Sequence, residues 1–81
     1  MVLAGVGAME TYVRVTFDSE GGKPSEVADR LLTAGFAPTH GNYDFVYDWH
    51  GSARRDQVLE LTDAVTEQLR GFQVLFEIET V

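Results

Sequence analysis

The residues best suited to chemistry in this chain crowd into one stretch, YDFVYDWHGSARR, from Tyr43 to Arg55. It holds two carboxylates (Asp44 and Asp48), an imidazole (His50), a hydroxyl (Ser52) and paired guanidiniums (Arg54 and Arg55). Carboxylate and imidazole are metal ligands. On an extended strand, however, side chains two residues apart stand roughly 7 Å apart and those four apart about twice that. Asp44 and Asp48 are therefore too far apart to clasp one ion. Asp48, His50 and Ser52 have the residue types of a nucleophilic triad, but neighbours on one extended segment cannot converge as a triad must. The chain has no GxSxG elbow, no HExxH pair and no phosphate-binding P-loop. No catalytic residue, no metal and no cofactor is expected.

Anion binding is the chemistry that remains. Arg54 and Arg55 fall in the first turn of a predicted helix, where the macrodipole disfavours a basic residue by roughly 0.3–1 kcal/mol. A second glycine-bearing loop, DSEGGK from Asp18 to Lys23, also leads into a helix. Helix N-termini with free N–H groups and nearby cations bind anions. The first and third strands are expected to run parallel as central neighbours, so the two loops are expected to meet at one end of the sheet. Gly21, Gly22, Lys23, His50, Ser52, Arg54 and Arg55 are then the candidate anion site. The simpler alternative is that these arginines only neutralise Asp18, Glu20, Asp48 and Asp56.

The positioning elements follow from periodicity. Thr11 to Asp18 alternates, with Val13, Val15 and Phe17 on one face and Tyr12, Arg14 and Thr16 on the other, as a half-buried strand does. Pro24 fits a first helical turn. Val27, Ala28, Leu31 and Ala34 then make one stripe, Glu26 and Arg30 are spaced as an i,i+4 pair, and Gly35 supplies a left-handed stop. Phe36 to His40 is a short extended segment that Pro38 confines to a sheet edge. Gly41-Asn42 reads as a tight turn. Tyr43 to His50 alternates again, placing Tyr43, Phe45, Tyr47 and Trp49 together as core. The alternative, an aromatic platform for bases, requires that stripe to face away from the helices. Ser52 is the expected N-cap of a second helix running to about Arg70. Val58, Leu61, Thr62, Val65 and Leu69 form its apolar stripe, and Asp56, Glu60, Asp63 and Glu67 an acidic ridge. Gln73 to Thr80 is a last strand with Val74, Phe76 and Ile78 inward.

Strand, helix, strand, strand, helix, strand is the order of an α+β, ferredoxin-like split βαβ domain. Such a domain is a four-stranded antiparallel sheet in spatial order 4-1-3-2 with two helices on one face. Residues 10–81 are expected to form it as a single domain. Residues 1–9 are expected to be a disordered tail, with Met9 as an alternative start.

Composition narrows the partners. Thirteen acidic residues face six basic ones, a net charge of −7. That opposes nucleic acid, whose affinity comes largely from Lys and Arg neutralising phosphates. Lys23 is the single lysine and Ile78 the single isoleucine, an acidic balance matching salt-adapted proteins, in which screening relieves self-repulsion. With no cysteine there are no disulfides or thiolate metal sites. No apolar run approaches the roughly 20 residues that cross a bilayer, so no membrane partner and a cytoplasmic location are expected.

FDSEGGKPSEVADRLLTAGF, Phe17 to Phe36, resembles the first strand-loop-helix of ACT domains. Asp18, Gly21 or Gly22, and Gly35 stand where those have their acidic residue and glycines. The resemblance covers a quarter of the chain; its loop here is longer than in the family. It implies dimers that bind a small ligand near the first loop. The second half, GNYDFVYDW to LFEIETV, looks like small archaeal proteins of unknown function, which implies no activity. Together these readings lead to a non-enzymatic ligand-binding or regulatory module. Its expected partner is a small anion or a protein, and self-association as a homodimer is part of the expectation.

Overall fold

A computed structural model describes residues 9–41 and 43–81. Its elements are β1 (Glu10–Thr16), α1 (Pro24–Thr33), β2 (Ala37–Pro38), β3 (Phe45–Asp48), α2 (Arg55–Leu69) and β4 (Leu75–Thr80). The four strands form one sheet in the order β2-β3-β1-β4. Every neighbouring pair is antiparallel.

β1 alternates as its sequence requires. Thr11, Val13 and Val15 are buried, while Arg14 and Thr16 face solvent. The buried residues of both helices, Val27 and Leu31 from α1 and Leu61, Val65 and Leu69 from α2, join Val13, Val15, Phe36 and Phe45 in one cluster. Truncating a fully buried member such as Leu31 or Val65 removes both transfer energy and packing, on the order of 2–5 kcal/mol for a leucine. Leu32, at the edge of the α1 stripe, is exposed.

α1 starts with Pro24 at its first position and ends in a Schellman motif. The Phe36 N–H donates to the Leu31 carbonyl and the Gly35 N–H to the Leu32 carbonyl, both at 3.0 Å. Gly35 has φ +101°, and a Cβ there would come within 2.9 Å of Tyr47 Cε2. Only glycine satisfies both conditions. Arg30 is not ion-paired with Glu26 among the described residues; its guanidinium lies 5.6 Å from the Phe72 ring centre.

α2 begins later than the sequence suggests. Ser52 is not its N-cap: Arg54 is, and it lacks a side chain that could accept a helix N–H. Compensation comes from Gln57, whose Oε1 accepts the Arg54 N–H at 2.7 Å. The expected turn at Gly41-Asn42 falls partly, and the expected tail mostly, outside the described residues. Met9 is described, and it is tied to the domain. Its N–H donates to the Gly51 carbonyl, and its carbonyl accepts from the Trp49 N–H.

The direction of β3 corrects the sequence reading. Because β1 and β3 pair antiparallel, with Glu10 opposite Asp48 and Val13 opposite Phe45, their C-terminal ends lie at opposite ends of the sheet. The cause is topological. α1 returns the chain so that β2 runs with β1, and the following reversal makes β3 antiparallel to β2 and hence to β1.

Candidate functional site

Antiparallel pairing divides the candidate anion site. Gly21, Gly22 and Lys23 follow the Thr16 end of β1, whereas His50, Ser52, Arg54 and Arg55 lie past the Asp48 end of β3, beside Glu10. The six steps from Glu10 to Thr16 span about 20 Å of strand. No single small anion bridges them.

The first half is also not built to receive one. Three of its N–H groups are already committed: Glu20 donates to Asp18 Oδ1 (2.9 Å), Gly21 to the Asp18 carbonyl (2.9 Å) and Gly22 to the Phe72 carbonyl (2.6 Å). The glycines allow close approach between two loops. A Cβ on Gly21 would lie 2.6 Å from the Gln73 carbonyl oxygen, and one on Gly22 would lie 2.4 Å from Phe72 Cδ1. Lys23 is the extended residue preceding α1, with no ion pair among the described residues.

In the second half, His50 sits at φ +55°, its N–H bonded to Asp48 Oδ1 at 2.8 Å and its Nδ1 3.7 Å from Asp48 Oδ2. Arg54 pairs with Asp56, Nε to Oδ1 3.1 Å. That is the local neutralisation the sequence allows as an alternative. Arg55 has no ion pair among the described residues. Nor do three His, Cys, Asp or Glu side chains among them converge as a metal centre would require.

The aromatic stripe divides as well. Phe45, Tyr47 and Trp49 pack on the core. Tyr43 instead lies on the open face, 5.1 Å centre to centre from Tyr12 and 5.2 Å from the Arg14 guanidinium. Two carboxylates hold this pair: the Tyr12 hydroxyl donates to Glu10 and the Tyr43 hydroxyl to Glu79. Each bond stabilises the neutral phenol beside a negative charge, so both hydroxyls titrate above the usual tyrosine value, with partial burial adding to the effect. Arg14 also pairs with Glu77 at 3.6 Å. The open face thus carries aromatic rings in a largely acidic setting.

Sequence reading missed two features. The first lies on β4, which the sequence does place as an edge strand, and is the outward row of N–H groups it carries with a groove at its end. Glu10 and Val81 exchange both backbone hydrogen bonds, so alternation turns the N–H groups of Glu79, Glu77 and Leu75 toward β1. Phe76, Ile78 and Thr80 then direct theirs outward along the edge that no other described strand pairs. A groove of about 590 Å³, lined by Thr16, Phe17, Asp18, Gln73, Val74 and Leu75, opens at the end of this strand. Phe17 is 41% exposed there and Leu75 is 75% exposed. The second feature is a shallow cleft of about 320 Å³ lined by Tyr47, Trp49, Gln57, Glu60 and Leu61. The signals were available: the order 4-1-3-2 puts β4 at an edge, and Glu60 belongs to a ridge whose neighbours depend on which way β3 runs.

Comparison of the chain with protein-family models, with curated proteins and with solved structures finds no match.

Proposed function

We propose that the chain is a non-enzymatic interaction module of the ferredoxin-like, split βαβ kind, which takes up an extended segment of a partner protein along β4. The sheet order read from the β4 edge, 4-1-3-2, supports the fold assignment. The observation that carries the function is the outer edge of β4, which no other described strand pairs: three outward N–H groups, no proline or lysine in LFEIET to block pairing, and an apolar groove at its end. Unpaired edges of this kind accept added strands.

Charge selects the partner. Glu77 and Glu79 project on the open face, and cross-strand neighbours of like charge destabilise pairing. Two copies meeting antiparallel about a two-fold at Ile78 would set Glu77 of each opposite Glu79 of the other. A segment that alternates basic with apolar residues avoids this repulsion. Its basic residues face Glu77 and Glu79, its apolar ones continue the row of Phe76 and Ile78, and a terminal apolar residue enters the groove beside Phe17 and Leu75. A small-anion ligand finds less support, since the N–H groups of Glu20, Gly21 and Gly22 are already bonded. A nucleic-acid surface made by Tyr12 and Tyr43 would bring phosphates against Glu10, Asp48, Glu77 and Glu79.

Amide hydrogen exchange tests the proposal. In the free protein, Phe76, Ile78 and Thr80 exchange quickly while Glu77 and Glu79 are protected. Adding an eight-residue peptide of alternating lysine and valine protects the three edge amides, and the same peptide with glutamate for lysine does not. Exchange that is unchanged by either peptide would refute strand addition at β4.

A further inference from the structure

We infer that the cleft between β3 and α2 binds a methylated ammonium group, a site independent of the β4 edge. Tyr47 and Trp49 supply aromatic rings 4.8 Å apart and inclined at 58°. Both rings are fixed. Trp49 Nε1 donates to Thr11 Oγ1 at 2.8 Å, and that oxygen shares a 2.7 Å hydrogen bond with Thr80 Oγ1. Thr11 is completely buried, so the indole is anchored from within by its one polar atom. Tyr47 also packs edge to face with Phe36, ring centres 5.6 Å apart at 61°. What the two residues present to the cleft is therefore aromatic surface, with the Tyr47 hydroxyl making no hydrogen bond among the described residues.

The polar part of the lining is negative or neutral. Glu60 forms no ion pair among the described residues, whereas Asp56 and Glu67 of the same ridge are paired with Arg54 and Arg70. Gln57, which also lines the cleft, is neutral and accepts the Arg54 N–H at its Oε1. The Arg54 guanidinium, at the N-cap of α2, is itself held by Asp56.

Aromatic surface attracts a cation within about 6 Å of a ring centre, and a carboxylate supplies the counter-charge. An anion is excluded by Glu60 and by the net charge of −7. A strongly hydrated metal ion would lack the oxygen ligands it needs. A bulky, weakly hydrated ammonium bearing methyl groups suits an open cleft of this volume, because its methyls pack on the rings while its charge faces Glu60. The group could belong to a free small molecule or to a methylated lysine side chain. The recognition chemistry is the same.

Trp49 is the one tryptophan in the chain and reports directly on the cleft. Titrating the protein with tetramethylammonium chloride at constant ionic strength, held with NaCl, is expected to give a saturable change in its fluorescence. tert-Butanol, of the same shape without the charge, gives none that saturates. Glu60→Gln, an exposed change on a helix, weakens binding about three-fold. Glu60→Lys, which puts a cation in the cleft, weakens it more than ten-fold with the far-ultraviolet dichroism unchanged. A trimethyl-lysine peptide that binds more tightly than tetramethylammonium assigns the group to a side chain, and equal affinity assigns it to a small molecule. An equal response to tert-butanol, no saturable response to tetramethylammonium, or full binding by Glu60→Lys would each overturn the inference.

Discussion

At the scale of single residues, several side chains that look functional have structural work, and substitution separates the two roles. Gly21 is the clearest case. Its missing Cβ lets the β1–α1 loop lie against the Phe72 and Gln73 carbonyls, 2.8 and 2.6 Å from where a Cβ would be. Gly21→Ala must push two backbone segments apart, and overpacking of that kind costs about 1–3 kcal/mol. Urea denaturation should show that loss without any ligand present; an unchanged midpoint would return the glycine to a binding role. Tyr12 and Tyr43 are the opposite case, exposed enough to titrate but held by Glu10 and Glu79. Their folded pKa values are raised, so their contribution to stability is complete below the unfolded value of about 10. It is lost as pH rises through the higher folded values. Absorbance at 295 nm should show Tyr12 and Tyr43 ionising late in the folded chain. The Tyr12→Phe, Tyr43→Phe double variant should lose less stability than the parent above pH 10. Parallel losses would mean that the two hydroxyl–carboxylate bonds contribute nothing.

At the scale of elements, local pattern carried the reading far and strand direction set its limit. Period two marked β1, β3 and β4, and period 3.6 marked both helices. Pro24 and Gly35 punctuated α1 where the chain in fact turns, because each acts through its own backbone geometry. β1 and β3 look alike whichever way they run relative to each other, and the proposed anion site depended wholly on that relation. Ser52 failed as a cap for a similar reason. Its residue type suits the role, but the chain stays extended through Arg54, and Gln57 provides the oxygen instead. Tyr43 misled because the strand begins only at Phe45, so alternation does not reach back to it. The first turn of α2 now yields a prediction. Arg55 stands at its first position with no ion pair among the described residues, against the helix dipole. Arg55→Glu should therefore stabilise the domain by about 0.3–1 kcal/mol. Thermal melting at low salt reads this directly; a loss of stability would show that Arg55 holds a partner that the geometry does not reveal.

At the scale of the whole molecule, charge couples stability to association. Among the described residues Arg14, Arg54 and Arg70 pair with Glu77, Asp56 and Glu67, while the whole chain carries thirteen acidic residues against six basic ones. Self-repulsion then opposes the compact state, and salt relieves it. The screening length falls from about 10 Å at 0.1 M to about 3 Å at 1 M, so a screening effect is nearly complete by 1 M. The melting temperature should climb steeply with KCl to that point and then level. Asp63→Lys, which lowers the net charge magnitude by two on an exposed ridge, should flatten the climb. A rise that continues unchanged well beyond 1 M, in parent and variant alike, would point to hydration rather than to screening. Association at β4 must respond with both signs. Capture of a basic segment weakens as its attraction to Glu77 and Glu79 is screened. Pairing between two copies strengthens, because the Glu77–Glu79 repulsion across their two-fold is screened as well. Sedimentation equilibrium should accordingly find a monomer at 0.1 M KCl, with any dimer confined to high salt, where the basic peptide no longer binds. A dimer that is tightest at low salt would place its interface away from the two glutamates, and the β4 edge would no longer explain self-association.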